Sequence, residues 1–406
     1  MNKRIAIFPN EVFDGTHWLS YKNGIAVCIV GNKISFVGPK SMLPEGKWEI
    51  INIPDCTLIP GLIDMHVHLT MDGSAESINN TLSDDPSTAM IRTINNAKKQ
   101  ILQGITFVRD CGCQGNMAIE LGNAIKLGLL TKSPKVAACG QALCITGGHG
   151  AFIGYECDGA NEFLKAARQM VKKGASFLKI ISTGGVISKG TKTDSTQMNF
   201  EEIKTVVDIA KDNGISVVAH AHGTKGIKLA LQAGVSSIEH ASYIDDECID
   251  LFIKNNAMFT STLLASQREL DHSDKLPAFI SEKIHAHISR EQDSVRRLIQ
   301  AGVPALGGTD SGTPYNPHGN LVQQLIMLSE HGLESDKVLM ASTSLAAKAL
   351  NMDDEIGYIK EGYAADIIAV CGPLKKQINA LYNITNVWRD GIPIVKETQE
   401  VCNVNY

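Results

Sequence analysis

At 406 residues the chain can bury a large core, and length alone allows two or three domains, although one α/β barrel can absorb about 250 residues or more. Its 44% hydrophobic and 20% charged residues are ordinary for a globular protein, and a net charge of −5 without long basic runs argues against nucleic acid or an anionic membrane surface as partner. No run approaches the roughly 18 apolar residues of a membrane span, and the short apolar segment before Pro9-Asn10-Glu11 is no secretory core.

The ten cysteines are scattered, mostly in apolar runs such as those at Cys28, Cys139 and Cys371. Cys111-x-Cys113 lacks the CxxC spacing of zinc or redox sites, so buried reduced thiols in a cytoplasmic protein are expected.

Residues 4–56 read as short strands, with Gly31-Asn32 as a hairpin turn between Gly24–Val30 and Lys33–Val37. From Leu58 the pattern changes to short β-branched runs alternating with helical periods. The strands are expected at 58–65, 105–110, 135–140, 176–182, 215–221, 236–240, 257–262 and 303–309. Helices are expected at Pro86–Leu102, Ala160–Lys173, Phe200–Asn213, Thr224–Ala233 and Ile280–Ala301, several closing on glycine (Gly104, Gly174, Gly214, Gly234, Gly302). Eight strands, each followed by a helix, are what a (β/α)8 TIM barrel requires. An open doubly wound sheet would carry a glycine-rich phosphate turn after its first strand, where this chain has His66-Val67-His68. After a last helix, Ser335–Leu350, β character returns at 357–359, 365–370 and 386–388. The expected organisation is an α/β fold: a barrel over 58–352 and a small β-sandwich domain built from both termini, 1–57 and 353–406.

Barrel active sites lie at the C-terminal ends of the strands. His66 and His68 end the first strand and, two residues apart, face one way; alone, such a pair is as readily two satisfied histidines as half a metal site. The fifth strand ends in His220-Ala221-His222, the sixth in Glu239-His240, and the eighth runs to Asp310. The fourth carries Lys179 amid Phe177, Leu178, Ile180 and Ile181, where a charged amine is expensive. Three readings compete: a lysine paired with a carboxylate, a Schiff-base lysine as in barrel aldolases, or a carbamate formed with CO2 whose oxygens bridge two divalent metals. Four histidines and an aspartate on the same rim favour the third.

This set on strands one, four, five, six and eight resembles the amidohydrolase superfamily in its binuclear, carboxylated-lysine form. PGLIDMHVH near the first strand and the tail GYIKEGYAADIIAV with VWRDG are similar to that superfamily's split β-sandwich. TFVRDCG, ITGGHG, FLKIISTGGV, VVAHAHG, IEHASYID and GGTDSGTPYNPHG resemble its imidazolonepropionase-related branch, which contains zinc-dependent Xaa-Pro dipeptidases and arginine or lysine carboxypeptidases.

The resemblance implies that His66, His68 and Asp310 bind one metal, His220 and His240 a second, and carboxylated Lys179 both. Zinc is the first expectation, with manganese or cobalt also acceptable to these ligands. It further implies a metal-bridging hydroxide attacking an amide C–N bond, with Asp310 taking its proton and passing it to the leaving amine. Imidazolonepropionases run on one metal without a bridging lysine, so Lys179 argues against that activity. The family motif favours His220 over His222 as ligand and leaves His222 to orient or contact substrate. His149 resembles a residue that meets a substrate α-carboxylate, against a plain loop histidine. Tyr243 resembles a partner of the carbonyl or carboxylate, against a helix-capping aromatic. His318 is read as structural, and Arg109-Asp110 as a buried ion pair supporting the rim.

The expected function is a dipeptidase- or carboxypeptidase-like hydrolase of dipeptides or N-acyl amino acids, in a homo-oligomer. Ureas, carbamates and cyclic amides are the alternative substrates. A catalytically silent metal-binding scaffold is the non-enzyme alternative, disfavoured because all six ligand positions are present. A deaminase, usually with one metal and a glutamate beside the fifth-strand ligand, is disfavoured by Ala221-His222-Gly223. Selectivity is expected in loops 69–86, 142–159 and 263–278; none shows a dedicated cluster of acids, so the sequence does not support a basic side-chain preference.

Overall fold

The computed structural model describes residues 3–394; Cys402 and the rest of the expected C-terminal segment from 395 onward lie outside them. Strands from both ends of the chain build one eight-stranded sheet. Its middle strand, Glu49–Pro60, pairs in parallel with Arg4–Phe13 on one side and antiparallel with Ile367–Cys371 on the other. Strand alternation divides the side chains: Ile5, Ile7, Val27, Ile367 and Trp388 share one core, while Ala6, Phe8, Ala26 and Cys28 pack on the other face. The hairpin at Gly31-Asn32 forms as expected, joining Ile25–Val30 to Lys33–Pro39.

Cys56 and Cys371 stand opposite each other in this sheet and are joined by a disulfide, which corrects the expectation of reduced thiols throughout. Cross-strand register, which sequence spacing does not reveal, brings together two cysteines 315 residues apart. The other seven described cysteines are free and buried.

The barrel follows at once. The expected strand 58–65 divides: Leu58–Pro60 stay in the terminal sheet, and Leu62–Val67 become the first barrel strand. Gly61 sits at the division because a Cβ there would lie 2.2 Å from Thr106 Oγ1. The remaining barrel strands are Ile105–Asp110, Lys135–Ala138, Leu178–Ile181, Val217–Ala221, Ser237–His240, Met258–Ser261 and Ala305–Gly307. Asp310 N donates to His66 O and His68 N to Ser311 O, both at 2.8 Å, closing the eighth strand onto the first.

Helices Pro86–Leu102 and Thr224–Ala233 match their expected bounds; Phe200–Asp212 differs by one residue at its end, and Gly159–Lys172 and Ala278–Gln300 by one or two residues at each end. The expected helix Ser335–Leu350 is two, Ser335–Ala341 and Ser344–Ala349. The break falls where Ser342 O accepts from Ile63 N of the first barrel strand and so leaves the helical ladder. Two three-residue strands, Ala142–Cys144 and Gly154–Glu156, flank the His149 loop; they are too short to show in a periodicity reading. Among the described residues no helix is long and apolar enough to cross a membrane.

Candidate metal centre

The strand ends converge on one cavity lined by His66, His68, His149, Lys179, His220, His222, His240 and Asp310. Among the described residues three groups of side chains have donor atoms close enough to share an ion: His66, Cys111 and Glu239, whose acid is already bonded to Arg109, and two with free donors on the cavity, His66, His68 and Asp310, and His220, His222 and His240. The two groups touch, with the His66 and His240 rings 5.2 Å apart and those of His220 and His240 4.6 Å apart.

Each imidazole is held by one nitrogen, which leaves the other for a ligand. His66 Nδ1 meets Glu239 Oε2 at 2.8 Å, and His68 Nδ1 donates to Gly112 O at 2.8 Å. His222 Nδ1 meets Ser242 Oγ at 2.8 Å, and His240 Nδ1 meets Thr262 Oγ1 at 2.7 Å. His220 is turned the other way: its Nε2 donates to Gly184 O at 3.1 Å, so Nδ1 is its free atom. Such bonds fix the tautomer and aim of a metal-binding histidine. The free nitrogens of His220 and His222 both reach the cavity, and the geometry leaves either able to serve on the fifth strand.

The polar groups fit a cation site. His68 Nε2 lies 3.1 Å and His66 Nε2 3.5 Å from Asp310 Oδ1. With Nδ1–H committed to Gly112 O or Glu239, these nitrogens present lone pairs to an oxygen that also presents lone pairs. Asp310 Oδ1 and Lys179 Nζ are buried and have no hydrogen-bond partner. Buried groups left in this way are costly, and a cation among them removes the cost. Burial, then the Lys179 charge, holds His66 down to about 4, and burial holds His220, His222 and His240 well below the ordinary imidazole range, in the neutral form a metal needs. Burial would lower His68 too, but Asp310 outweighs it and raises the ring. Burial alone would raise Asp310; His66 and His68 outweigh it and hold the carboxyl at about 2.

Two of these side chains stand outside ordinary strand geometry. His240 has φ 74° and Asp310 φ 56°, left-handed conformations rare for residues with a Cβ. Alternation would send Glu239 and His240 to opposite sides, but this turn lets both serve the site. Strain of this kind, about 1–3 kcal/mol per residue, persists where the surroundings over-determine it.

Glu239 was not assigned a role by the sequence reading. Its Oε1 accepts from Arg109 Nη2 at 2.8 Å, Ser237 Oγ at 2.7 Å and Thr260 Oγ1 at 3.1 Å, while Oε2 holds His66. An acid inside an apolar strand, next to a predicted ligand histidine, was the available signal. The expected Arg109–Asp110 ion pair is corrected accordingly. Adjacent strand residues point to opposite sides, so Arg109 reaches Glu239 while Asp110 accepts from Leu69 N and Gly112 N. Glu239→Gln should weaken metal affinity by about 10–100-fold. Titration of the metal-free variant would measure this, and an unchanged affinity would reduce Glu239 to a purely structural anchor.

His149 is buried against His220, ring centroids 4.4 Å apart, with Nδ1 bonded to Ser188 Oγ at 2.7 Å. Gly185 has to be glycine for this: a Cβ would lie 2.3 Å from the His149 ring. Tyr243 stands one layer back from the cavity, its hydroxyl 2.9 Å from His287 Nδ1 and its ring covered by Arg290 at 3.7 Å. His287 in turn packs edge-on against His222 at 4.8 Å. His318 joins Met71 O and Gln100, the structural part expected of it.

Comparison with known proteins follows the same lines. The family described as "Amidohydrolase family" matches residues 57–395. An ochratoxinase from Aspergillus niger is 27% identical over 405 residues, covering 90% of this chain and 82% of that protein. The crystal structure of a Xaa-Pro dipeptidase with methionine in its active site superposes with a TM-score of 0.89 at 31% identity, over 97% of this chain and 100% of that one. The crystal structure of the A. niger ochratoxinase gives a TM-score of 0.85 at 26% identity, over 96% and 95% of the two chains.

Proposed function

The chain belongs to the amidohydrolase family, and we propose that within it the protein is a two-metal hydrolase that cleaves the amide C–N bond of dipeptides or N-acyl amino acids. The observation that carries this reading is the buried, unpartnered Lys179 Nζ in a cavity shared by two groups of metal-competent side chains. His66, His68 and Asp310 would hold one divalent ion, and His220 and His240 the other. Lys179, as a carbamate formed from its neutral amine and CO2 with loss of a proton, would reach both. When bound, such a pair supplies an acidified water and an electrophile for the scissile carbonyl.

The chain's own residues handle orientation and protons. Asp310, with its carboxyl ionised beside His66 and His68, takes the proton of the attacking water and returns it to the leaving nitrogen. Glu239 keeps His66 in one tautomer throughout. Burial holds His149 neutral, at about 3, so it meets a substrate carboxylate as a hydrogen-bond donor without bringing a second charge. His222 lines the cavity beside His220 and orients the substrate from there. The dipeptide preference draws on the 31% identical Xaa-Pro dipeptidase, which carries an amino acid in its active site.

The test is a panel of Xaa-Pro, Xaa-Arg and N-acyl amino acid substrates, assayed after metal loading and again after exhaustive chelation. Turnover should be lost on chelation and restored by zinc, manganese or cobalt, and intact-mass analysis of the native protein should find one added CO2 on Lys179. If the loaded protein leaves the whole panel intact but opens ureas, carbamates or cyclic amides, the peptide reading is wrong.

A further inference from the structure

Directly after the seventh barrel strand, the helix Leu263–Asp271 carries Glu269 on the cavity wall. Its carboxylate is only 5% exposed and, among the described residues, makes no hydrogen bond or ion pair. Glu291, on the long helix Ala278–Gln300, is 1% exposed; neither carboxylate oxygen has a hydrogen-bond partner, and His287 Nε2, one turn away, lies 3.6 Å from Oε2. Burial, then the charges of Asp310 and Glu291, push Glu269 up to about 8.

Nearby cations are committed elsewhere. Arg268 bonds Gln323, Lys283 bonds the carbonyls of Gly185 and Ser188, and Arg290 covers the Tyr243 ring. A buried carboxyl that faces a cavity and has no donor of its own takes up a proton when alone, and a cation arriving from outside is what lets it ionise. Among the described residues no lysine or arginine bonds Glu269, and Lys179, the unpartnered amine of the same cavity, is the group taken up as a carbamate in the reading above.

Topology adds direction. His149 follows the third barrel strand and Glu269 the seventh, so in an eight-stranded ring they stand on opposite sides of the mouth, with the metal-competent side chains between them. A donor to carboxylate on one side and a bare carboxylate on the other match the two poles of a zwitterion.

We propose that Glu269 is the receptor for a positively charged nitrogen of the substrate, so that the enzyme selects amides bearing an ammonium or guanidinium group. This rests on the peptide-like substrate class proposed above and narrows it. Two sources share that chemistry, the free α-ammonium of a dipeptide and a basic side chain. Sequence scanning found no cluster of acids because Glu269 and Glu291 lie 22 positions apart and meet only through the packing of two helices.

Calorimetric titration of the metal-loaded protein separates the sources without needing turnover. A phosphinic dipeptide analogue with and without its terminal amine probes the α-ammonium, and lysine against norleucine the side chain. In at least one pair the charged member should bind about tenfold tighter or more, and Glu269→Gln should erase that preference. If neither pair is discriminated by the unmutated protein, or if the glutamine variant keeps the full preference, the proposal is overturned. Because the unmutated protein carries the first comparison, a variant that fails to fold does not obscure the result. Discrimination without turnover of any amide would sink the hydrolase reading and leave the cation site standing. Turnover without discrimination would do the reverse.

Discussion

Replacing Lys179 with methionine is expected to lower kcat/KM by about 10^3-fold or more while leaving the metal-free protein as stable as before, or more so. The two effects separate because the amine serves no partner in the folded chain: Nζ is buried and unbonded, on a strand flanked by Leu178 and Ile180. Methionine fills the same volume without a polar atom to desolvate, so the fold loses nothing. The site loses the side chain proposed to reach both ligand groups, and metal content should fall from about two ions per chain towards one. Elemental analysis, melting temperature and steady-state kinetics on the same preparation would check all three. In the smaller Lys179→Ala variant, formate or acetate should restore part of the activity by entering the space the carbamate would occupy. A variant that keeps both ions and full activity would remove the bridging role.

Asp310→Asn is expected to reduce kcat by about 10^2–10^4-fold, with KM changing far less. Asparagine is nearly isosteric, keeps one carbonyl oxygen for a metal, and tolerates the left-handed backbone at φ 56°, so fold and binding are preserved. What it lacks is a site for the proton: an amide cannot take one from water and pass it on. Loss of the carboxylate charge beside His66 and His68 would also loosen the first ion. The measurement is therefore made at saturating metal, with occupancy verified. A kcat within a few-fold of the unmutated protein under those conditions would move the proton-carrying role to another group.

Most of the fold was legible because barrel periodicity is local. Eight β-branched runs and the intervening helical stretches can be read one window at a time, and the helix over Pro86–Leu102 is bounded by signals within its own residues, with Asp85 accepting from Ser87 N and Thr88 N. The residues that line the cavity were legible for a related reason, since polar residues closing apolar strands have little structural excuse. What stayed hidden depends on partners distant in sequence. Arg109 pairs with Glu239, 130 positions away, where adjacency had suggested Asp110. Tyr243 turns to His287, which no motif marks. Glu269 looks like any acid on an amphipathic helix until its neighbours prove to be a cavity and a second acid.

Placing Glu49–Pro60 between Arg4–Phe13 and Ile367–Cys371 has a consequence for the order of assembly. During synthesis every proposed ligand from His66 to Asp310 is made before Ile367, yet the strand that runs into His66 and His68 still lacks its second neighbour. Contacts between residues this far apart form slowly, because a long loop must close first. A nascent chain therefore displays all the proposed metal-binding residues on a scaffold that is not yet closed. The strand that completes that scaffold carries none of the proposed ligands, so completion of the site would be timed by residues that never touch it.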